Sequence, residues 1–135
     1  MNNEMIKGLI ISAIEAREKA YAPYSNYKVG ASVLTKNNKM YNGCNVENAS
    51  YGATNCAERT AIFKAVSDGY TYIKAIAVVG DMKNYTYPCG ICRQVIQEFG
   101  DENTIIIIVK NEKDYILKSL SDILPESFSK NDLII

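Results

Sequence analysis

Apolar residues recur every three to four positions through residues 5–21. Ile6, Leu9, Ile10, Ala13, Ile14 and Ala20 share one side, and Glu15, Arg17, Glu18 and Lys19 fall largely elsewhere. That spacing predicts an amphipathic helix that packs on a core and stops at Pro23. The period then shortens. After the turn-forming Tyr24-Ser25-Asn26, residues 28–34 alternate, with Val29, Ala31 and Val33 on one face. Lys36-Asn37-Asn38 marks a turn, and residues 39–45 read as a second strand. Two strands joined so briefly form an antiparallel hairpin.

Helical spacing returns over residues 56–66, where Ala57, Ala61, Ile62, Ala65 and Val66 make a packed side and Gly69 is a C-terminal stop. Residues 72–79 form an apolar strand, followed by a polar and aromatic loop at 80–87. Pro88 precedes a helix over 89–99 with Val95, Ile96 and Phe99 inward and Gly100 at its end. Four consecutive isoleucines mark residues 104–109 as a strand buried on both faces. Residues 111–114 are too few for a crossover helix, so 115–118 returns antiparallel. A short helix over 121–124 stops at Pro125, and Leu133-Ile134-Ile135 closes the chain with apolar groups.

These elements describe an α/β chain of a single domain, residues 1–135. Strand, helix, strand, helix and strand alternate through the middle, which predicts three parallel strands with right-handed crossovers. The two intervening helices then start on the same edge of the sheet, where open α/β sheets place their ligands.

Composition narrows the function. The 15 basic and 15 acidic residues cancel, which argues against a dedicated grip on a nucleic-acid backbone. No apolar run approaches the ~20 residues that cross a bilayer, so no membrane is expected as a partner. Met1-Asn2-Asn3-Glu4 does not resemble a secretory signal, and the expected location is cytoplasmic. There the four cysteines are reduced, and cysteine pairs bind metal or act in catalysis more often than they form disulfides.

The chain contains no histidine, so thiolates or carboxylates must serve as metal ligands and no imidazole can act as a base. Cys56-Ala57-Glu58-Arg59 opens one predicted helix, and Pro88-Cys89-Gly90-Ile91-Cys92 opens the next. Three thiolates hold zinc and leave one tetrahedral position for water, whose pKa the ion lowers to about 7. Glu58 differs in kind from the thiolates and stands beside that water as a proton carrier. Partial positive charge at both helix starts favours the thiolates. Two rivals stay open: a redox pair of Cys89 and Cys92, and a structural zinc site completed by Cys44, which otherwise reads as a small buried apolar residue. The latter would make the protein a metal-binding interaction module. Asn45-Val46-Glu47-Asn48 is either a polar loop capping the next helix or a row of groups for a polar ligand.

Taken together, the two cysteine clusters resemble the zinc signature of the cytidine deaminases, in the small homotetrameric type that uses three cysteines. Similar stretches run through nearly the whole chain: Tyr21-Ala22-Pro23-Tyr24-Ser25, Val29-Gly30-Ala31, Gly43 to Asn48, Asn55 to Thr60, Cys92-Arg93-Gln94-Val95, and Leu124-Pro125 through Phe128. The resemblance implies a three-layer α/β/α fold with a five-stranded mixed sheet and helices on both faces. It implies zinc-dependent hydrolytic deamination of cytidine and deoxycytidine to uridine and deoxyuridine, in pyrimidine salvage. The rival within enzymes is a deaminase of another nucleoside or a modified aminopyrimidine.

By the same resemblance, Cys56, Cys89 and Cys92 are the zinc ligands. Glu58 moves protons between water, the pyrimidine N3 and the departing ammonia. Asn45 and Glu47 match a ribose-binding pair, the backbone of Ala57 a contact to the base, and Arg59 a cation that partly neutralises the thiolates. Phe128 matches an aromatic residue that reaches a neighbouring subunit's site. Tyr27 stands where the family often has phenylalanine against the nucleoside, so its hydroxyl is a departure. The Gly52-Ala53-Thr54 segment carries no implied role.

Overall fold

Burial sorts the chain into three layers. The structure, a computed structural model, describes residues 1–133; Ile134 and Ile135, part of the apolar chain end, lie outside the described residues. Strands β1 (Gly30–Thr35), β2 (Met40–Cys44), β3 (Ile73–Val79), β4 (Ile105–Asn111) and β5 (Asp114–Lys118) form one sheet in the order β2-β1-β3-β4-β5. β1 is antiparallel to β2 and to β3, β3 and β4 are parallel, and β5 returns antiparallel. β2, β3 and β4 therefore share one direction, as the alternation of strands and helices predicts. Only β3 and β4 are neighbours, however, because β1 lies between β2 and β3. All six residues of β1 are buried, which suits a central strand better than the one-sided alternation of Val29, Ala31 and Val33 suggests.

Helix α1 (Asn3–Arg17) covers one face, where Leu9, Ile10 and Ala13 pack against Ala77, Ile107 and Val109. Helices α2 (Ala57–Ser67), α3 (Gly90–Phe99) and α4 (Leu120–Ile123) cover the other, where Ala61, Ile62 and Ile96 meet Ile76, Ile106 and Ile108. The isoleucine run thus serves both cores, with alternate side chains entering opposite layers. At the end of α2, the N–H groups of Gly69 and Tyr70 donate to Val66 and Ala65, and Gly69 takes a φ of 98°. This is the Schellman closure that a glycine there favours.

Helix α1 stops four residues short of the expected Tyr21. The reason is tertiary. The Tyr21 N–H donates to the Asn45 carbonyl at 3.0 Å, and the Tyr21 carbonyl accepts from the Glu47 N–H at 2.9 Å. This strand-like pairing removes residue 21 from the helix before Pro23 can end it.

Gly30 lets α1 approach the sheet. A Cβ built there would lie 1.9 Å from the Ala13 carbonyl oxygen and 2.6 Å from the Arg17 nitrogen, both backbone atoms. Gly30→Ala should therefore destabilise the fold at or beyond the upper end of the ~1–3 kcal/mol typical of overpacking. Gly52→Ala, where a Cβ meets nothing within 4 Å, is the matched control and should stay within about 0.5 kcal/mol. Urea unfolding of the two variants against the parent protein measures the difference.

Candidate functional site

The C-terminal residues of β2 and β3, Cys44 and Val79, both pair with Gly30, so the two strands end at the same edge of the sheet. The segments that follow lead into α2 and α3, whose N-cap residues are Cys56 and Cys89. Cys92 sits in the first turn of α3, fully buried. Thirty-two intervening residues therefore separate Cys56 from Cys89 along the chain while their sulfurs lie 3.8 Å apart. The three Sγ atoms all fall within 4.8 Å of one another.

Those separations fit a zinc ion. With Zn–S bonds of about 2.3 Å, the edge of a tetrahedron is about 3.8 Å, whereas a disulfide needs about 2.05 Å. The chemistry of the donors agrees. Three thiolates this close repel one another, and a divalent cation between them is what allows all three to ionise together. The neighbouring Cys92 thiol first, with Arg59 and Cys89 adding to it, holds the Cys56 thiol below the usual thiol range. Cys92 is pushed up by the neighbouring Cys56 sulfur and by burial. Arg59 donates from Nη2 to the Cys56 sulfur at 3.3 Å, where the resemblance places it. Its Nε is buried without a hydrogen-bond partner.

Cys44 belongs elsewhere. It is half-buried, which corrects its reading as a buried apolar residue, and it lines a separate depression with Glu15, Lys19 and Thr60. Among the described residues, the metal-competent group comprises Cys56, Cys89 and Cys92 without it. A site with four thiolates is therefore not formed. The redox reading explains neither the third sulfur nor the arginine bonded to it.

Cys56 and Cys89 line a cleft of about 270 Å³, while the fully buried Cys92 does not reach it. Glu58 lines it beside Cys56 and Cys89, with only 4% of its surface exposed. Burial, with the neighbouring Cys56 thiolate adding to it, pushes the Glu58 carboxyl up to about 7. Ala57 lines the same cleft, as do Asn45, Glu47 and Tyr27. Five residues without an expected role join them: Ser25, Val29, Thr54, Thr86 and Tyr87. Their only signal in the sequence is that four lie in polar loops next to the motifs and Val29 lies near the start of the first expected strand.

Asn45 and Glu47 are shaped by pairing on both sides. Val46 bridges to Tyr21 and to Asn55, which keeps 45–47 extended and excludes a capping role for that loop. Asn45 accepts from the Val29 N–H at 2.9 Å and donates to the Tyr27 carbonyl at 2.8 Å. Glu47 accepts from the Tyr24 and Ser25 N–H groups, each at 3.0 Å, and from the Ser25 hydroxyl. These bonds, the Ser25 hydroxyl first, hold its carboxyl below the usual range. A carboxylate has about four acceptor positions and an amide two of each kind, so both side chains keep capacity for a ligand in the cleft.

Arg93 supports the α3 side. It donates to the Pro88 carbonyl and to the Ile123 carbonyl, each at 2.7 Å, and so ties the Cys89 segment to α4. Phe128 does not line the cleft of its own chain. Its ring is 59% exposed, so it is not folded into its own core, and its carbonyl accepts from Gln94 at 2.8 Å.

Comparison with known proteins agrees with this arrangement. Residues 4–108 match the family model of the cytidine and deoxycytidylate deaminase zinc-binding region. The chain is 47% identical over 128 residues to a cytidine deaminase of Sporosarcina psychrophila, spanning 95% of this chain and 94% of that one. It is 44% identical over 135 residues to a probable cytidine deaminase of Dictyostelium discoideum, spanning 99% and 90%. A crystal structure of cytidine deaminase from Burkholderia pseudomallei superposes with a TM-score of 0.85 at 49% identity, covering 95% of this chain and all of that one.

The geometry predicts how the cysteines divide. Cys56→Ala, Cys89→Ala and Cys92→Ala should each lower the zinc bound per chain, and Cys44→Ala should not. Elemental analysis of the purified variants, with folding checked by circular dichroism, decides it. Zinc loss from the Cys44 variant would put that residue back among the ligands.

Proposed function

The chain belongs to the cytidine and deoxycytidylate deaminase family, and from that membership we propose that it is a zinc-dependent cytidine deaminase. It hydrolyses cytidine and deoxycytidine to uridine and deoxyuridine with release of ammonia. One observation carries the reading: a single cleft is lined by the sulfur cluster, through Cys56 and Cys89, with a buried carboxyl, and also by Asn45 with Glu47. The first pair suits attack on an amino-substituted ring, and the second suits the hydroxyls of a sugar. None of the cleft-lining residues is cationic, and Glu47 is anionic, which favours a nucleoside over its monophosphate.

Cys56, Cys89 and Cys92 would hold the zinc. When bound, that ion supplies a Lewis acid that makes water nucleophilic near neutral pH. Arg59 draws charge from the Cys56 sulfur, which keeps three thiolates from cancelling the ion's acidity. Glu58 takes one proton from the attacking water at its carboxylate and passes it to N3 of the ring, then takes the remaining proton of that water and passes it to the departing amine, so both protons of the water are accounted for. Its burial leaves that carboxyl able to hold or release a proton near neutrality. The remaining acceptor position of Glu47 and the remaining capacity of the Asn45 amide take the ribose hydroxyls. The Ala57 backbone meets the base, and the Tyr27 ring forms a wall of the cleft.

The whole chain, residues 1–135, works as one domain in a homotetramer. Phe128 supports this, because its ring is exposed and absent from the cleft of its own chain. In the assembly it stacks on the base bound next door. Three unprotected thiols suit a reducing, cytoplasmic compartment, and the reaction returns cytidine to the uridine pool as pyrimidine salvage.

Purified enzyme should release ammonia from cytidine and deoxycytidine and little from cytosine or adenosine. Glu58→Gln should retain zinc and lower kcat at or beyond the upper end of the ~10²–10⁴-fold typical of one acid–base group, because one side chain serves several transfers. A zinc-loaded Glu58→Gln enzyme with near-normal turnover would refute the role.

Subunit sharing has its own test. Phe128→Ala should raise KM by about 5- to 150-fold if stacking is worth roughly 1–3 kcal/mol. After proven exchange of Glu58→Gln and Phe128→Ala subunits, activity at low cytidine should exceed the sum of the parents. Merely additive activity would place Phe128 outside any shared site.

A further inference from the structure

Tyr27 and Thr86 both line the cleft, from loops far apart in the chain. The Tyr27 hydroxyl and the Thr86 Oγ1 lie 3.1 Å apart, and either can donate. Among the described residues, this is the side-chain hydrogen bond that joins the two loops. Tyr27 belongs to the segment before β1 that Asn45 organises, and Thr86 lies three residues before Cys89. We propose that this pair is a latch across the cleft, and that Thr86 is a positioning residue for the nucleoside base, acting through the Tyr27 ring.

Three features of the structure support it. The Tyr27 backbone is already fixed, because its N–H donates to the Ser25 hydroxyl at 3.0 Å and its carbonyl accepts from Asn45 at 2.8 Å. The free end of the ring is therefore the part that can still swing, and the Thr86 bond holds that end. Next, the pair sits directly on the backbone of Gly80. A Cβ at that position would come within 2.3 Å of both the Tyr27 hydroxyl and the Thr86 oxygen, so the latch needs glycine beneath it. Finally, Gly80 is itself anchored, since its carbonyl accepts from Arg17 Nε at the end of α1. The latch thus joins the nucleoside-binding wall, the metal-binding wall and α1 at one point. A phenylalanine at position 27 would present the same ring without this bond.

A latched ring is in place before the ligand arrives, so less ordering remains to be done on binding. Loss of the bond should act on KM and leave the chemical step alone. The inference rests on the cleft being the nucleoside site, so the test carries a readout that does not need turnover.

Zinc-loaded Tyr27→Phe, Thr86→Val, the double variant and Thr86→Ser are compared by the rate of ammonia release from cytidine. Each of the first two should raise KM by about 2- to 10-fold, the equivalent of one neutral hydrogen bond, with kcat held within about 2-fold. The double variant should be no worse than either single one, and Thr86→Ser should restore the parent KM. Hydrogen exchange on the unliganded enzymes should be faster in residues 24–29 and 84–88 of both single variants, and to the same extent in the double. An unchanged KM in Thr86→Val, effects that multiply in the double variant, or a loss confined to kcat would overturn the latch. If the parent enzyme releases no ammonia from cytidine, the nucleoside reading falls. Exchange then decides the latch by itself: equal acceleration in both single variants supports it, and unaltered exchange removes it.

Discussion

Three sulfur atoms within 4.8 Å of one another are the constraint on which the rest of this structure depends. As thiolates they repel, and as thiols they compete for few partners, so their convergence has to be imposed by the fold. The imposition comes from two helices that begin at the same edge of one sheet. Parallel β3 and β4 force the chain to cross over through α3, and β2 delivers α2 to the same edge. The sheet carries an apolar core on each face, and close packing of the one under α2 and α3 holds the two helix starts at fixed separation. Helix N-termini add partial positive charge where the thiolates need it.

Polar groups at this edge serve the fold and the ligand at once. Glu47 accepts three hydrogen bonds from Tyr24 and Ser25, and Asn45 bonds both to Val29 and to Tyr27. The loop that carries Tyr27 is therefore shaped by the same two side chains that offer their remaining capacity to the cleft. Removing either would disturb the loop as well as the lining of the cleft. Loss of binding in such variants is accordingly a combined quantity, which only non-additivity between neighbours can divide.

Glu58 shows how burial and placement work together. In water its carboxyl would be ionised at neutral pH, but at 4% exposure it is pushed up to about 7. The same burial places it against the sulfur cluster at the start of α2, where a one-residue shift along the helix would rotate it by about 100° away from the cleft. Cys56 as N-cap and Glu58 in the first turn are thus a spacing requirement of helix geometry as much as of chemistry.

Much of this was legible in the residues. The elements, the antiparallel hairpin, the doubly buried isoleucine strand and the shared direction of β2, β3 and β4 follow from hydrophobic period and loop length, which are local properties. The convergence of Cys56, Cys89 and Cys92, with Glu58 in the same cleft, was legible because helix starts after strands bring distant cysteines to one edge. Other features depended on contacts between segments far apart. The end of α1 is set by pairing of Tyr21 with Asn45 and Glu47, not by Pro23 alone. The insertion of β1 between β2 and β3 is a choice among pairings that sequence period does not distinguish. Cys44 and Cys56 are alike as residues, and only their positions around the sheet separate them. The hydroxyl of Tyr27 has a partner because Thr86 and Gly80 happen to meet it 59 and 53 positions further along. Sequence by itself determined which elements form and which side chains stand at the two helix starts, since these depend on spacing within a helix or strand. The tertiary structure alone decided which loops face each other across the cleft, because that depends on how separate cores are packed.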